Sequence, residues 1–223
     1  MRKLIMGIVD FRERLLAQYA ERFRVLAQGQ APDVLCVTCS DSRVVPELLA
    51  STDPGELFVM RNVGNMVPPA TVEGASTGDL SEASAIEYAV LVLNVGGIVV
   101  CGHSGCGAMK AALAGAPLPN TPNLAKWLHH SASSVFRLDQ EGPLDPRFNR
   151  CDQLSQLNVL VQLEHLATYP IVRERIADKS LHMFGWWFDI AKGDMYNYQR
   201  ETRRFEIIDR TAAERLISKL NLH

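Results

Sequence analysis

Apolar residues at the start of the chain fall at helical spacing. Ile8, Phe11, Leu15, Tyr19, Phe23 and Leu26 recur three and four apart, and the opposite face is charged, the stripe of an amphipathic helix. Such a stripe needs something to lie against, and a neighbouring subunit serves as well as the chain's own body. The period then changes. Val34-Leu35-Cys36-Val37-Thr38, Leu57-Phe58-Val59-Met60 and Ile98-Val99-Val100-Cys101 are short apolar runs, as strands of a buried parallel sheet require. Leu181 to Phe188 predicts a fourth strand turning at Lys192-Gly193-Asp194. Phe205-Glu206-Ile207-Ile208 predicts an edge strand before a final helix.

Helical patterns separate these runs. Pro46 stands where a short helix begins, Ser81 to Leu93 forms another that Gly96-Gly97 closes, and Ala108 to Ala114 and Leu154 to Leu166 add two more. Asn62 to about Gly78 has Gly, Pro and Thr without periodicity and predicts a loop. Pro117, Pro119, Pro122 and Pro143 surround a break in a helical region. Strand and helix alternate throughout, which predicts an α/β fold: one domain over 1–223, a mostly parallel central sheet flanked by helices, and an N-terminal helical arm at 1–28.

Composition narrows the function. A formal net charge of -2 argues against nucleic acid as a partner, and no apolar run approaches the roughly 20 residues that span a bilayer. The first apolar stretch is ended by Asp10, Arg12, Glu13 and Arg14 with no cleavage site after it, so it is not expected to act as a secretory signal. These features predict a cytoplasmic protein. Five cysteines in such a chain point to metal or catalysis rather than to disulfides.

Cys39-Ser40-Asp41-Ser42-Arg43 and Gly102-His103-Ser104-Gly105-Cys106-Gly107 carry the chemistry. Both follow apolar strands, and ligand sites in open α/β sheets gather at the carboxyl ends of strands. Cys39, His103 and Cys106 offer two thiolates and an imidazole, a zinc set with its fourth position open to water. Asp41 and Arg43 add a carboxylate and a guanidinium on one side of Cys39. A closed site with Cys36 as fourth ligand is the rival, and would make the protein a non-catalytic, zinc-stabilised binding module. Residues three apart on a strand point to opposite faces, so Cys36 is expected to turn away from Cys39. Cys36, Cys101 and Cys151 are expected as small core hydrophobes. His129, His130, His165, His182 and His223 remain as candidate proton carriers, and nothing in the sequence chooses among them.

These motifs, with Pro54-Gly55-Glu56-Leu57-Phe58-Val59-Met60-Arg61-Asn62-Val63-Gly64-Asn65 and Glu87-Tyr88-Ala89, resemble the β-class carbonic anhydrases. The resemblance implies a lyase that reversibly hydrates carbon dioxide to bicarbonate and a proton. It implies one zinc ion on Cys39, His103 and Cys106, and Asp41 and Arg43 as a catalytic dyad. It also implies Gln30, Phe58, Val63 and Tyr88 as substrate-pocket residues, and a homodimer or dimer-based oligomer whose first helix embraces the neighbour. An allosteric subclass places Trp and Tyr where this chain has Cys36 and Phe188, so the likeness is to the plant-like, non-allosteric subclass although Arg61 is kept. Relatives on this fold also hydrolyse carbon disulfide or carbonyl sulfide, which stands as the alternative activity.

Overall fold

The computed structural model describes residues 1–115 and 119–220. Pro117 and His223 lie outside the described residues. The arm consists of α1 (Arg2–Asp10), a π-helical turn (Phe11–Leu15) and α2 (Leu16–Leu26). There follow β1 (Val34–Cys39), α3 (Pro46–Leu49), β2 (Leu57–Asn62), α4 (Leu80–Glu87) with a π-helical turn (Tyr88–Val92), β3 (Gly97–His103) and α5 (Gly107–Ala114). Next come α6 (Pro122–Leu128), a 3-10 turn (His129–Ser131), α7 (Ala132–Glu141), α8 (Arg150–Leu166) and α9 (Pro170–Ala177). The chain then runs through β4 (His182–Asp189), β5 (Asp194–Gln199), β6 (Arg204–Ile207) and α10 (Arg210–Leu220).

One six-stranded sheet has the order β2-β1-β3-β4-β5-β6. The first four strands in that order are parallel, and β5 and β6 are antiparallel. The mostly parallel α/β domain expected from the apolar runs is therefore present. Two elements lie outside the expectation. β5 reads Asp-Met-Tyr-Asn-Tyr-Gln, half polar because it is near the sheet's edge, and it pairs with β4 across the Gly193 turn. α9 is a short helix begun by Pro170, too brief to show a period.

β3 is buried along its whole length and β1 nearly so, which is why both read as unbroken apolar runs. α8 packs on β3 and β4 through residues that include the buried Val159; burying an aliphatic side chain of this kind contributes about 1.5–3 kcal/mol. The approach is close because Gly102 and Gly185 have no side chains. A methyl on Gly102 would stand 2.8 Å from Val159 Cγ2 and 3.3 Å from the backbone oxygen of Ser155. A larger residue at 102 would push α8 away from the strand that carries His103.

The arm behaves differently. α1 and α2 bury no residue, and Ile8 is 70% exposed. Its far end is tied down: Arg22 donates to the Pro54 carbonyl at 2.7 Å and to Glu56 at 2.9 Å. Leu26 lies where a side chain on Gly55 would collide with it. Among the described residues, no helix is long and apolar enough to cross a membrane.

Candidate metal centre

Parallel pairing of β1 with β3, with Thr38 opposite Cys101, brings the ends of these two strands to one edge of the sheet. Cys39 ends β1 and His103 ends β3. A tight turn with Gly105 at φ +62° returns the chain to Cys106, the N-cap of α5. The ligating atoms of Cys39, His103 and Cys106 all lie within 4.8 Å of one another, and all three residues are buried. Cys36 does not join them; it faces the other side of β1, as strand alternation requires.

The state of His103 is fixed by its surroundings. Nδ1 lies 3.0 Å from the Ser104 carbonyl. A carbonyl can only accept, so Nδ1 carries the ring proton and the lone pair of Nε2 faces the sulfurs. Nε2 is buried without a hydrogen-bond partner, a costly state for a polar atom unless a cation meets it. The sulfurs are coupled as well. Cys39 is held well below the ordinary thiol range, at about 4, first by the hydrogen bond from Cys106, against the cost of burial, with the backbone N–H of Gly64 adding to it. Cys106 is pushed up by that same bond and by burial, while the N–H groups of Met109 and Ala108 pull the other way. The two sulfurs shift each other in opposite directions at close range, in a place a soft or borderline cation would fill. The residues present fit zinc.

Asp41 stands beside this cluster with Oδ2 3.9 Å from His103 Nε2. Arg43 grips it from the outer side: Nε donates to Oδ1 at 2.9 Å, Nη2 to Oδ2 at 2.8 Å, and the Arg43 backbone N–H to Oδ1 at 3.0 Å. That side-chain hydrogen bonding, opposed by partial burial, holds the Asp41 carboxyl well below the usual carboxylate range. A fork of this kind is the strongest geometry open to an arginine and a carboxylate.

Several supports were not legible as site residues. Asp152, at the start of α8, accepts the Gly105 backbone N–H at 2.7 Å and is itself held by Asn149. Ser155 donates to the His103 carbonyl at 2.8 Å and accepts from Trp187. Arg61 donates to the carbonyls of Cys39, Asp41 and Val44, bracing the turn that presents Asp41. Gly64 donates its N–H to Cys39 Sγ at 3.4 Å. With φ at +87° and Ala108 Cβ only 2.9 Å from where its own Cβ would be, it has no room for another residue.

The pocket candidates separate. Val63 lies at the metal edge, next to Gly64, with its carbonyl accepting from Trp127 Nε1 at 2.7 Å. Phe58 pairs with Leu35 near the start of β1, about 13 Å along the strand from Cys39 at 3.3 Å per residue. Tyr88 packs on Phe58 with ring centroids 5.8 Å apart. Gln30 is exposed and precedes β1. Within one chain, Gln30, Phe58 and Tyr88 lie at the end of the sheet away from Cys39.

A sequence profile of the carbonic anhydrases matches residues 34–195. A carbonic anhydrase of Pseudomonas aeruginosa is 42% identical over 92% of this chain and 90% of its own length. The solved structure of the β-carbonic anhydrase CcaA superposes with a TM-score of 0.84 at 35% identity, covering 93% of this chain and 98% of that one. Two tetrameric β-carbonic anhydrases from the ascomycete Sordaria macrospora are represented by a structure with TM-score 0.75 and 32% identity, over 88% of this chain and 95% of that one.

Proposed function

The chain belongs to the β-class carbonic anhydrases and interconverts carbon dioxide and bicarbonate; we propose that Cys39, His103 and Cys106 hold one zinc ion per chain. The observation that carries this reading is the buried, unpartnered Nε2 of His103, set within 4.8 Å of two sulfurs. Three ligands, and no fourth from Cys36, make the site open rather than closed, which disfavours a merely zinc-stabilised binding protein. Zinc bound there would act as a Lewis acid that makes water a nucleophile near neutral pH.

The chain's own residues do the rest. Asp41, ionised and fixed by Arg43, accepts a hydrogen bond from the attacking water and directs its lone pair toward the carbon of carbon dioxide. Arg43 has a second task. By occupying both carboxylate oxygens it keeps Asp41 from turning onto the cation itself. Val63 supplies an apolar wall beside Cys39, suited to a linear, apolar substrate. Stopped-flow carbon dioxide hydration by metal-quantified protein tests the whole reading.

A single chain does not complete the pocket. We assign Gln30, Phe58 and Tyr88 to the site of a second copy in a homodimer or dimer-based oligomer. Support comes from their place at the far sheet end, from the 42% exposure of Tyr88, and from an arm in which no residue is fully buried. The Sordaria relatives are tetrameric by description, which agrees with a dimer-based assembly. Cys36 and Phe188 leave no room in this reading for an allosteric bicarbonate pocket. Free cysteines throughout suit a reducing cytoplasm.

A further inference from the structure

Hydration of carbon dioxide releases a proton, and neither Asp41, locked by Arg43, nor a buried metal ligand is placed to carry it to solvent. An open groove of about 880 Å³ is lined by Ser40, which follows Cys39, and by Val63, Gly78, Glu82, Trp127 and His130. Its four titratable side chains are Asp79, Glu82, Lys126 and His130. Asp79 caps α4 by accepting from the Ser81 N–H. Glu82 is 8% exposed and accepts from Asn62, and burial pushes its carboxyl up, so it sits inside the wall rather than at the mouth. A lysine ammonium has no acceptor lone pair. That leaves His130.

The ring of His130 is held but not sealed. Trp127, anchored to Val63, meets it edge-on with centroids 5.3 Å apart. Its Nε2 lies over Gly78, where an added methyl would come within 2.8 Å, so the absence of a side chain there keeps that nitrogen clear. Among the described residues outside the metal centre, the other histidines are placed less well for this task. His165 is engaged with the Val67 carbonyl at 2.7 Å, His182 starts β4 at the opposite sheet end, and the exposed His129 does not line the groove.

We propose that His130 is the proton-relay residue of this carbonic anhydrase, taking the proton released at the metal centre from groove water and handing it to solvent. The neutral ring accepts a proton as a water O–H bond breaks, giving imidazolium. Its N–H then yields that proton to a buffer base, and the ring returns to neutral. Burial, then the neighbouring His165 and His129, lower the pKa of His130. The ring is therefore neutral, and able to accept, around neutral pH. Asp79, Glu82 and Lys126 are the other titratable groups that line the groove with it.

The inference rests on the proposed function, and its test separates the two. Carbon dioxide hydration by zinc-loaded wild type, His130→Ala and His129→Ala is measured by stopped flow in dilute and concentrated buffer. Expected for His130→Ala is a loss in kcat of about tenfold or more in dilute buffer, kcat/KM within about twofold, and recovery on adding imidazole. His129→Ala should match wild type. Ring NMR of the labelled protein, with zinc and without, should show His130 titrating reversibly below the ordinary histidine value. An inactive wild type would overturn the functional reading and the relay with it. An active wild type with unchanged kcat in His130→Ala, or a His130 ring that does not titrate, would overturn the relay alone.

Discussion

Arg43 holds both oxygens of Asp41, through Nε at 2.9 Å and Nη2 at 2.8 Å, while one of those oxygens stands 3.9 Å from the bare Nε2 of His103. The carboxylate is thus a neighbour of the metal position that is held back from it. Asp41→Asn should keep its zinc and lose hydration activity by at least about tenfold, since it removes an acceptor that orients water. Metal analysis beside a rate assay checks this, and an unimpaired Asp41→Asn would reduce the pair to a structural role. The pairing also has a pH signature. A depressed carboxyl pKa contributes stability above the ordinary carboxylate value that is lost as pH falls through the folded value. The pair should therefore survive mild acid, and Arg43→Ala should bring protonation of Asp41 to higher pH. Arg43 is 51% exposed, so screening keeps the effect on stability small.

Removing any one ligand should release the metal. Cys39→Ala, His103→Ala and Cys106→Ala each leave two donors, too few to retain zinc through dialysis. Cys36→Ala should retain it, because Cys36 faces the other side of β1. Zinc lost from Cys36→Ala and kept in Cys39→Ala would overturn the ligand assignment.

Deletion of residues 1–28 should weaken subunit association and activity together, if the arm buries its stripe on a neighbour that supplies Gln30, Phe58 and Tyr88. Sedimentation and rate measurements on the truncated protein check this. A fully active monomer would contradict completion of the site by a second copy.

Bicarbonate should inhibit without cooperativity, because Cys36 and Phe188 replace the aromatic pair of an allosteric pocket. Inhibition curves at mildly acidic pH test this, and steep sigmoidal inhibition would show that such a pocket exists.

The metal centre was legible because its chemistry sits at strand ends. Cys39, His103 and Cys106 each follow an apolar run or a glycine turn, so their spacing and residue types carried the inference. Asp152 and Ser155 were not legible. They reach the site from α8, brought over the sheet by tertiary packing on Gly102 that no local pattern encodes. β5 was missed because an outer strand alternates polar and apolar residues weakly. Gln30, Phe58 and Tyr88 were recognised by family likeness alone; their remoteness from Cys39 appears only when strand register is known, and it is what motivates the proposal that they serve a second copy's pocket. The arm's stripe was plain from Ile8 onward, but what it lies against was not, since amphipathicity names a face and not a partner.

The central claim is zinc-dependent carbon dioxide hydration at Cys39, His103 and Cys106. Stopped-flow hydration on protein of measured zinc content, wild type beside Cys39→Ala, tests it most directly. Turnover proportional to zinc, with one zinc per wild-type chain and none retained or active in Cys39→Ala, is the predicted result. Wild-type protein that carries zinc yet does not hydrate carbon dioxide, or a Cys39→Ala variant that does, would contradict it.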